Sequence, residues 1–554
     1  MDSARWPSAH PVHERRSGMP SRLLAALCCL CLLLAGLSRQ ALADPLAALR
    51  HRGVIVIGVK ADYPLFGQVG ANGQVEGFEV DIARALAEQL GLRAEITVVT
   101  SANRLQRLED GTVDLVIATL GDTDQRRRVA TLMEPNYYAS GVNLMVPPQS
   151  TIRSWAELRG RPVCATQGAY FNRIIAERYL VDLQIFGNNR DARLAVRAGR
   201  CVGWLYDDTA IASDLVTPEW TGWKMPLASA LVTPWALALP RAARGTELQY
   251  VIEDIIGEWH RNSFLIWTER QWGIAPSDFL RRTQEIWLAK DEDGQFVCRR
   301  GANRQWPDAC RNRALLISDD VTGLMRLGLL VKERTGLDFS MVYDRYDRDS
   351  FLLGLVRTLL LVVGSMAGAL LVGVAGALAV ERRVPVVTQA LQVLLTVLRM
   401  TPPLLQIYVV FFGIGFWLAD RWGLVIDPML TALACLSAYA GAAVAQALLD
   451  ASGAIRERVP DFRLDLARLG RAVHAARAGI VGILVNIAKA TGIASVIAVP
   501  EIINASNAIM AERGNAIVVM NVLMATYFLI VLGAVVLLGR LQRMLERQAA
   551  PEGR

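Results

Sequence analysis

The chain has 554 residues, of which 53% are hydrophobic and 20% are charged, and its formal net charge is +7. This length allows two or three domains, and the composition lies between that of a soluble enzyme and that of a pure membrane protein. The positive charge does not indicate a nucleic-acid-binding protein, because much of the arginine lies beside apolar segments. The composition therefore favours a chain with a water-soluble part and a membrane part.

The N-terminus has the features of an export signal. Arginines precede an apolar stretch over residues 23–37, and a small-residue pattern that signal peptidase accepts ends at Ala43. We therefore predict a signal peptide over residues 1–43, with Met19 as an alternative start. An uncleaved anchor helix is the alternative interpretation.

Strand-like and helix-like segments alternate after the signal. The run "VIVIGV" predicts a strand, and "EGFEVDIARALAEQLG" has the apolar spacing of an amphipathic helix that ends at Gly91. Two more strands follow, and a second unit of the same kind begins at Arg161. This order predicts an α/β fold of two mainly parallel lobes, with binding at the carboxyl ends of the strands. The segments "ASGVNLMVPP" and "TPWALALP" predict the two strands that cross between the lobes and form a hinged cleft.

Five apolar segments in the last 200 residues are candidates for membrane spans. They are residues 351–380, 404–418, 429–449, 478–499 and 516–539. The second extends back through residues 386–398, with a break at Thr401-Pro402-Pro403. The sequence therefore predicts an all-α region with five spans.

Arginines are distributed unevenly between these spans. They follow the first span, lie between the third and fourth, and follow the fifth, at positions Arg382, Arg383, Arg456, Arg458, Arg463, Arg468, Arg471, Arg477, Arg540, Arg543 and Arg547. The other two loops carry only Arg421 and Arg513. By the positive-inside rule, the N-terminal half faces outward and the C-terminus faces the cytoplasm.

Cysteine usage suits an oxidising compartment. Cys164 and Cys201 begin predicted neighbouring strands, and Cys298 and Cys310 flank an arginine-rich loop, so we expect a disulfide in each pair. Metal binding is the alternative, although no histidine lies nearby in the sequence. Cys435 lies within a span and is expected to be free.

Six ordered segments of the first half carry a resemblance to a known family. They are "GVKADYPLF", "NGQVEGFEVDIARALAEQLG", "TSANRLQRLEDGTVDLVIA", "LGDTDQRRR", "PNYYASGVNLMV" and "AGRCVGWLYDD". Together they resemble the family 3 periplasmic solute-binding proteins, which bind polar amino acids, over about residues 51–280. The resemblance implies the two-lobe periplasmic-binding-protein fold, type II.

The resemblance implies a ligand site in the cleft. Arg126 in "TDQRRR" matches the family's carboxylate-binding arginine, and Asp207 in "LYDD" matches its ammonium-binding aspartate. A buried zwitterion needs such a pair, because an unpaired buried charge is costly. The full predicted ligand-binding set is Tyr63, Arg104, Thr119, Gly121, Arg126, Gln167, Gly168, Tyr170 and Asp207.

Several of these residues also suit structural roles. Arg127 and Arg128 fit a solvated helix face, Asp207 beside Asp208 suits a helix cap, and Tyr63 suits a core. Lys60 stands where family members that bind cationic amino acids carry an acid. With Arg104, it favours a neutral or acidic amino acid over a basic one.

The second half resembles the permease subunits of polar amino acid ABC importers. The segments "FLLGLVRTLLLVVGS", "VLRMTPPLLQIYVVFFGIGF" and "AKATGIASVIAVPEII" carry this resemblance, over about residues 346–547. It implies a permease homodimer or heterodimer, a separate cytoplasmic ATPase, and the bacterial inner membrane as location. The predicted domains are residues 44–285 for solute binding, 286–350 for an extracytoplasmic linker and 351–548 for the permease.

The cytoplasmic loop departs from the family. Such permeases carry an "EAA…G" helix that docks into the ATPase, and this chain reads "RVPDFRLDLARLGRAVHAARAG" instead. The predicted coupling residues are Leu464, Leu466, Ala467 and Gly470. Lys489, inside a span, is a further functional candidate, or it extends toward a membrane interface.

No nucleotide site or enzyme motif is recognisable. No lysine follows a glycine, so the chain lacks a P-loop. The histidines have neither metal-ligand nor triad spacing, and we predict no cofactor, no metal and no nucleic acid. The sequence therefore predicts the receptor and permease subunit of an amino acid importer. A membrane-anchored amino acid sensor that no longer transports is the alternative.

Overall fold

The computed structural model of this chain describes residues 44–311, 323–335 and 337–549. The predicted signal peptide, residues 1–43, lies outside the described residues. An α/β half comes first along the chain, and an all-helical half follows it. The predicted fold class is therefore confirmed.

The first lobe is built on a five-stranded sheet. Its strands are β1 (Val54–Val59), β5 (Arg93–Val98), β6 (Leu115–Val116), β7 (Ala130–Leu132) and β13 (Ala238–Pro240), and a small antiparallel sheet beside it has β2 (Asp62–Tyr63), β3 (Gly67–Val69) and β4 (Val75–Glu76). The strand order is β5-β1-β6-β13-β7, with β1 parallel to both neighbours. The alternate residues Ile55, Ile57 and Val59 of β1 are fully buried, which explains why this apolar run forms a strand inside the lobe.

The second lobe has a sheet of the same size. Its strands are β8 (Tyr138–Met145), β9 (Pro162–Thr166), β10 (Asp182–Phe186), β11 (Trp204–Asp207) and β12 (Ala230–Trp235), in the order β10-β9-β11-β8-β12. β9 is parallel to β10 and β11, whereas β8 is antiparallel to β11 and β12. Short connections from β7 to β8 and from β12 to β13 join the lobes. The predicted crossover segment "TPWALALP" contains the second connection. The crossover strand predicted over "ASGVNLMVPP" is wrong, because β8 pairs with β11 and β12 of the second lobe and the chain crosses before it.

Helices cover both sheets. They are α1 (Pro45–Arg52), α2 (Phe78–Gln89), α3 (Arg104–Glu109), α4 (Asp124–Val129), α5 (Phe171–Tyr179), α6 (Asn189–Arg197), α7 (Asp208–Leu215), α8 (Glu247–Arg261), α9 (Phe264–Gln271) and α10 (Asp278–Leu288). α2 buries the apolar face that the sequence predicts, and Gly91 follows its end with a φ of 71°.

Two disulfides stabilise the α/β half. One joins Cys164 on β9 to Cys201, which lies just before β11. The other joins Cys298 to Cys310 and packs with Trp287 and Trp306. Cys435 is buried and is not in a disulfide.

The helical half contains long apolar helices. Its elements are α11 (Gly323–Thr335), α12 (Ser340–Tyr343), α13 (Arg345–Glu381), α14 (Pro385–Met400), α15 (Pro403–Tyr408), α16 (Gly415–Trp422), α17 (Pro428–Arg458), α18 (Leu469–Ala490), α19 (Ile502–Arg513) and α20 (Ala516–Ala549). Within the described residues, four helices are long and apolar enough to cross a membrane, or five if one bent pair is a single span. That pair, Pro385–Met400 and Pro403–Ala419, bends by 108° at the predicted proline break.

Some helix ends differ from the predicted spans. α13 begins at Arg345 and not near residue 351, because the Asp344 carboxylate caps it by accepting from the amides of Tyr346 and Asp347. α13 also packs closely on α17: a Cβ added at Gly373 would lie 2.5 Å from a methyl of Val444. Small residues at such contacts are typical of helices that pack within membranes.

The predicted coupling loop has no separate helix in the part of the chain that the structure describes. α17 ends at Arg458 and α18 begins at Leu469, with turns between them. Leu464 is buried in the helical core, whereas Leu466 is 77% exposed and Ala467 is exposed. Gly470 is exposed in the first turn of α18, and Lys489 is exposed near its end.

Candidate ligand-binding cleft

Arg126 reaches from the first lobe to the second. It lies on α4, where the Thr123 hydroxyl accepts a hydrogen bond from the Arg126 amide and caps the helix. Its guanidinium is buried, and it donates to the carbonyl oxygens of Gly121 (2.9 Å) and Gly168 (2.8 Å). The adjacent arginines face elsewhere: Arg127 and Arg128 pair with acidic residues outside the cleft. The side chain of Arg126 is therefore distinct from those of its two neighbours.

A second buried guanidinium, that of Arg104 on α3, lies beside the first. It donates to the carbonyls of Ala118, Thr119 (3.0 Å) and Gly168 (3.1 Å). The Gly168 carbonyl therefore accepts from two arginines of the opposite lobe. Burial, and after it the neighbouring Arg104, lower the pKa of Arg126 to about 9. Because the guanidinium groups of Arg104 and Arg126 are both buried here, their positive charges would strongly favour binding of an anion between the lobes.

Gly168 allows the lobes to approach closely. Its φ is 76°, and a Cβ at this position would lie 2.0 Å from the carbonyl oxygen of Ser101. Only glycine fits such a contact. The side chain of Gln167, by contrast, points toward the helical half, where its Nε2 donates to the carbonyl of Asn504 at 3.4 Å.

Lys60 is the third cation of the cleft. Its ammonium is fully buried and lies 3.0 Å from the Ser101 hydroxyl, 2.5 Å from the Tyr206 hydroxyl and 3.3 Å from an oxygen of Asp62. The side chain therefore points into the protein and not to solvent. Its position after β1, at the carboxyl end of the strand, is the signal that identifies it in the sequence.

Asp207 is the acidic group that faces these cations. It ends β11 and precedes α7, at the position of a helix cap, yet its side chain makes no capping hydrogen bond. Its Oδ1 is buried and has no hydrogen-bond partner within the described residues. Burial raises the pKa of Asp207 to about 7, and Lys60 opposes that rise.

The neighbouring Asp208 has a structural role instead. Its carboxylate accepts from the Ser140 hydroxyl (2.7 Å) and the Gly141 amide (3.0 Å), both on β8. These contacts satisfy Asp208, whereas the Oδ1 of Asp207 has no hydrogen-bond partner among the described residues.

Aromatic rings form the walls around these charges. The Tyr63 hydroxyl is 2.5 Å from that of Thr209, and the Tyr63 ring lies edge-on to Trp235 and Phe66. Tyr170 donates to the carbonyl of Leu231 at 2.9 Å, and its ring lies 5.8 Å from the Arg126 guanidinium. Tyr63 is thus part of an aromatic cluster that also serves as core.

Thr119 and Gly121 shape the floor near Arg126. Thr119 has a φ of 47°, and its amide donates to Glu79 at 2.6 Å. A Cβ at Gly121 would lie 2.8 Å from the Tyr170 ring. Direct contacts therefore bring together Arg104, Thr119, Gly121, Arg126, Gly168 and Tyr170.

Sequence reasoning did not include Tyr206, Trp235 and Glu79 in the site. Tyr206 binds Lys60, and the Tyr206 and Tyr63 ring centroids lie 5.8 Å apart. Burial raises the pKa of Glu79 to about 7. Tyr206 directly precedes Asp207 near the end of β11, and this position in the sequence could have predicted that it belongs to the site. Within the described residues, no group of three or more His, Cys, Asp or Glu side chains is arranged to hold a metal ion.

Known proteins are similar in sequence to part of this chain. The glutamine-binding protein GlnH of an ABC transporter in Bacillus subtilis is 31% identical over 169 residues, which are 29% of this chain and 62% of that protein. The L-cystine-binding protein TcyJ of Escherichia coli K12 is 29% identical over 189 residues, 33% of this chain and 70% of that protein. The chain thus spans less than two thirds of the length of the first of these relatives.

One solved structure is similar to part of this chain. The cysteine-binding protein of Campylobacter jejuni is 21% identical, with a TM-score of 0.39, and the match covers 41% of this chain and 92% of that one. The family model described as bacterial extracellular solute-binding proteins, family 3, matches residues 55–413. This chain therefore belongs to the family 3 bacterial extracellular solute-binding proteins.

Proposed function

We propose that this chain is the receptor and permease subunit of an amino acid ABC importer in a bacterial inner membrane. Residues 44–285 capture the amino acid outside the membrane, residues 286–350 link the halves, and residues 351–548 form the permease domain. A separate cytoplasmic ATPase supplies the energy, and two permease domains pair as a homodimer or heterodimer.

The observation that carries this proposal is the charge arrangement of the cleft. The Nε atoms of Arg104 and Arg126 are buried and have no hydrogen-bond partner within the described residues. The Oδ1 of Asp207 is also buried and also lacks a hydrogen-bond partner there. An amino acid would satisfy both sides, since its α-carboxylate suits the guanidinium of Arg126 and its ammonium suits Asp207. Tyr63, Thr119, Gly121, Gln167, Gly168 and Tyr170 complete the proposed site.

Charge also supports a neutral or acidic ligand. Lys60 and Arg104 are both buried in the cleft, so a cationic side chain would meet two fixed positive charges there. The relatives named above are described as binding glutamine and cystine, whereas an arginine-binding protein of Escherichia coli K12 is 26% identical over 161 residues, so this part of the proposal rests on the charges of the cleft. We therefore propose a polar ligand that is not basic.

Contacts between the two halves support transport by one chain. α19 touches α3 and α4 of the first lobe, and its Asn504 binds Gln167 and the Ile185 carbonyl of the second. One element of the helical half thereby contacts both lobes. A permease that must detect cleft closure needs a contact of this kind.

Two charged groups reinforce this attachment. Arg200 of the second lobe donates to the carbonyls of Phe411 and Ile426, the latter at 2.7 Å. Asp344 accepts from Arg173 of the second lobe (3.1 Å) and from Arg513 at the end of α19 (2.7 Å). Buried, hydrogen-bonded ion pairs are sensitive to geometry, so these contacts suit a precise docking position.

The coupling loop distinguishes the two candidate functions. Leu466, Ala467 and Gly470 are exposed and suit an ATPase contact, whereas Leu464 is buried. The described chain has turns and not a docking helix between α17 and α18. That observation favours the second candidate, an amino acid sensor in which the closed receptor signals through the bundle without transport.

A ligand screen tests the shared part of both candidates. Full-length protein in lipid nanodiscs is titrated by calorimetry with the twenty common amino acids. The proposal expects micromolar affinity, about −8 kcal/mol, for at least one neutral or acidic amino acid. Binding of lysine or arginine alone would contradict the proposed preference for a neutral or acidic ligand. No binding of any amino acid would contradict the proposed site.

A further inference from the structure

The helix α11 presents an apolar face to the outside of the protein. Leu324, Leu327, Leu330 and Val331 are exposed by 54%, 58%, 43% and 38%, respectively. Their spacing of three and four residues places them on one side of the helix. A surface helix with such a continuous row of large apolar side chains requires a partner or a lipid environment.

The opposite side of α11 is held by the protein. Leu329 and Lys332 line a cavity of about 560 Å³ against the first lobe, and a Cβ at Gly328 would lie 2.1 Å from the Tyr343 ring. Lys332 is also paired with Asp338 at 2.6 Å. These contacts orient the helix, so its leucine row remains outward.

α11 lies at the level where two apolar helices begin. Asp338, which binds Lys332, also accepts a hydrogen bond at its backbone carbonyl from the side chain of Asn515. The next residue after Asn515, Ala516, begins one membrane-spanning segment, and Arg345 begins another shortly after α12. This level corresponds to a membrane–water boundary, where amphipathic helices lie parallel to the bilayer.

The cavity behind α11 contains two arginines, Arg241 and Arg244, that pair with no acidic side chain among the described residues, whereas its other six basic residues are ion-paired. Eight of the residues that line it are arginine or lysine and three are acidic. The side chain of Arg241 is exposed and makes no hydrogen bond or ion pair with any described residue, and the side chain of Arg244 donates to the backbone carbonyls of Arg127 and Ala130. Such a surface, close to lipid, attracts anionic headgroups.

We infer that α11 is an interfacial membrane anchor: its leucine row enters the acyl region of the leaflet on the receptor side, and the arginines of the adjacent cavity bind an anionic phospholipid headgroup. The anchor holds the first lobe against the bilayer. The inference rests on the helical half spanning a membrane, but it does not depend on amino acid import or on the ligand cleft.

Depth measurements test the apolar face. A nitroxide is attached to Leu327→Cys in full-length protein carrying Cys28→Ala, Cys29→Ala, Cys31→Ala and Cys435→Ala, reconstituted in nanodiscs of phosphatidylcholine and phosphatidylglycerol. Leu353→Cys, exposed near the receptor end of the span in α13, is the lipid reference, and Val69→Cys, exposed in the small sheet, is the water reference. We expect oxygen accessibility at position 327 near that at 353, with protection from a water-soluble nickel complex. Accessibility like that at position 69 overturns the inference.

Lipid retention tests the headgroup site. Native mass spectrometry counts phosphatidylglycerol retained by the parent, by Arg241→Glu and by Arg159→Glu, a matched change at an exposed arginine outside the cavity. We expect at least a fivefold loss for Arg241→Glu and no change for Arg159→Glu. Equal retention in all three overturns the headgroup assignment. Titration with inorganic phosphate distinguishes a lipid site from a free-anion site: saturable phosphate binding without lipid retention also overturns it.

Discussion

The guanidinium of Arg126 and the carbonyl oxygen of Gly168 are 2.8 Å apart across the cleft, and this hydrogen bond joins the two lobes. Gly168 accepts a second bond from Arg104 at 3.1 Å. An arriving carboxylate would meet donors that now bind a neutral carbonyl, and a charged acceptor makes the stronger hydrogen bond. Ligand binding and lobe closure are therefore expected to share these two arginines.

The first prediction concerns Arg126. Arg126→Ala is expected to weaken amino acid binding by a factor of about 10 to 150, because a hydrogen bond to a charged group contributes about 1.5–3 kcal/mol. Calorimetry on the full chain in nanodiscs measures the change. Arg128→Ala is the matched control, since Arg128 pairs with Asp124 on the exposed side of α4. Equal affinities for both variants would show that Arg126 does not contact the ligand.

The second prediction concerns pH. Burial raises the pKa of Asp207 to about 7, so below that pH the unliganded carboxyl is mostly protonated. A ligand ammonium needs the ionised form, and each pH unit below about 7 is expected to cost up to about tenfold in affinity. Between pH 7 and 8.5, affinity is expected to be flat. The Asp207→Asn variant should bind the ligand weakly at every pH, and its affinity should no longer depend on pH. If the affinity of the variant still falls below pH 7, the titrating group is another one, such as Glu79.

The third prediction concerns the Cys164–Cys201 disulfide. The bond closes a loop with a sequence separation of 37, for which loss of the constraint on the unfolded chain is expected to cost about 3–4 kcal/mol. Cys164→Ser with Cys201→Ser should lower the unfolding midpoint of the α/β half, as calorimetry would show. Cys435→Ser serves as the control for a thiol outside any disulfide. A midpoint unchanged in the double variant, or free thiols at both positions in exported protein, would contradict the assignment.

The fourth prediction concerns Arg200. Its side chain donates to the carbonyls of Phe411 and Ile426, so Arg200→Ala is expected to loosen the helical segment over Val409–Ile414. Hydrogen–deuterium exchange of that segment should rise at least severalfold, with amino acid affinity within twofold of the parent. Arg197→Ala, which removes an exposed pair with Glu219, should leave the exchange unchanged. Faster exchange in both variants would mean that the effect is not specific to docking.

Local patterns in the sequence predicted much of this fold. The alternation of apolar strands and amphipathic helices identified both lobes, and Thr401-Pro402-Pro403 identified the bend between α14 and α15. These features depend on periodicity and on proline chemistry, which act within a few residues. For the same reason, the extra length of α13 depends on one local cap at Asp344 that the apolar pattern does not reveal.

The site was predicted less completely because its contacts join distant parts of the chain. The direction of the Lys60 side chain is decided by Ser101 and Tyr206, and the sequence alone leaves it open. Asp207 and Asp208 are adjacent and have the same side chain, and their different environments depend on β8, which binds Asp208. The bond from Gln167 to Asn504 spans 337 residues, which no local pattern indicates.

Coupled uptake tests the central claim most directly. Proteoliposomes containing the full chain and the ATPase that copurifies with it are loaded with ATP, and entry of the bound amino acid is followed with radiolabel. The account predicts ATP-dependent accumulation that Arg126→Ala greatly reduces and that Gly470→Trp abolishes while leaving ligand affinity unchanged. No associated ATPase and no accumulation, with ligand binding intact, would contradict the importer and leave the sensor.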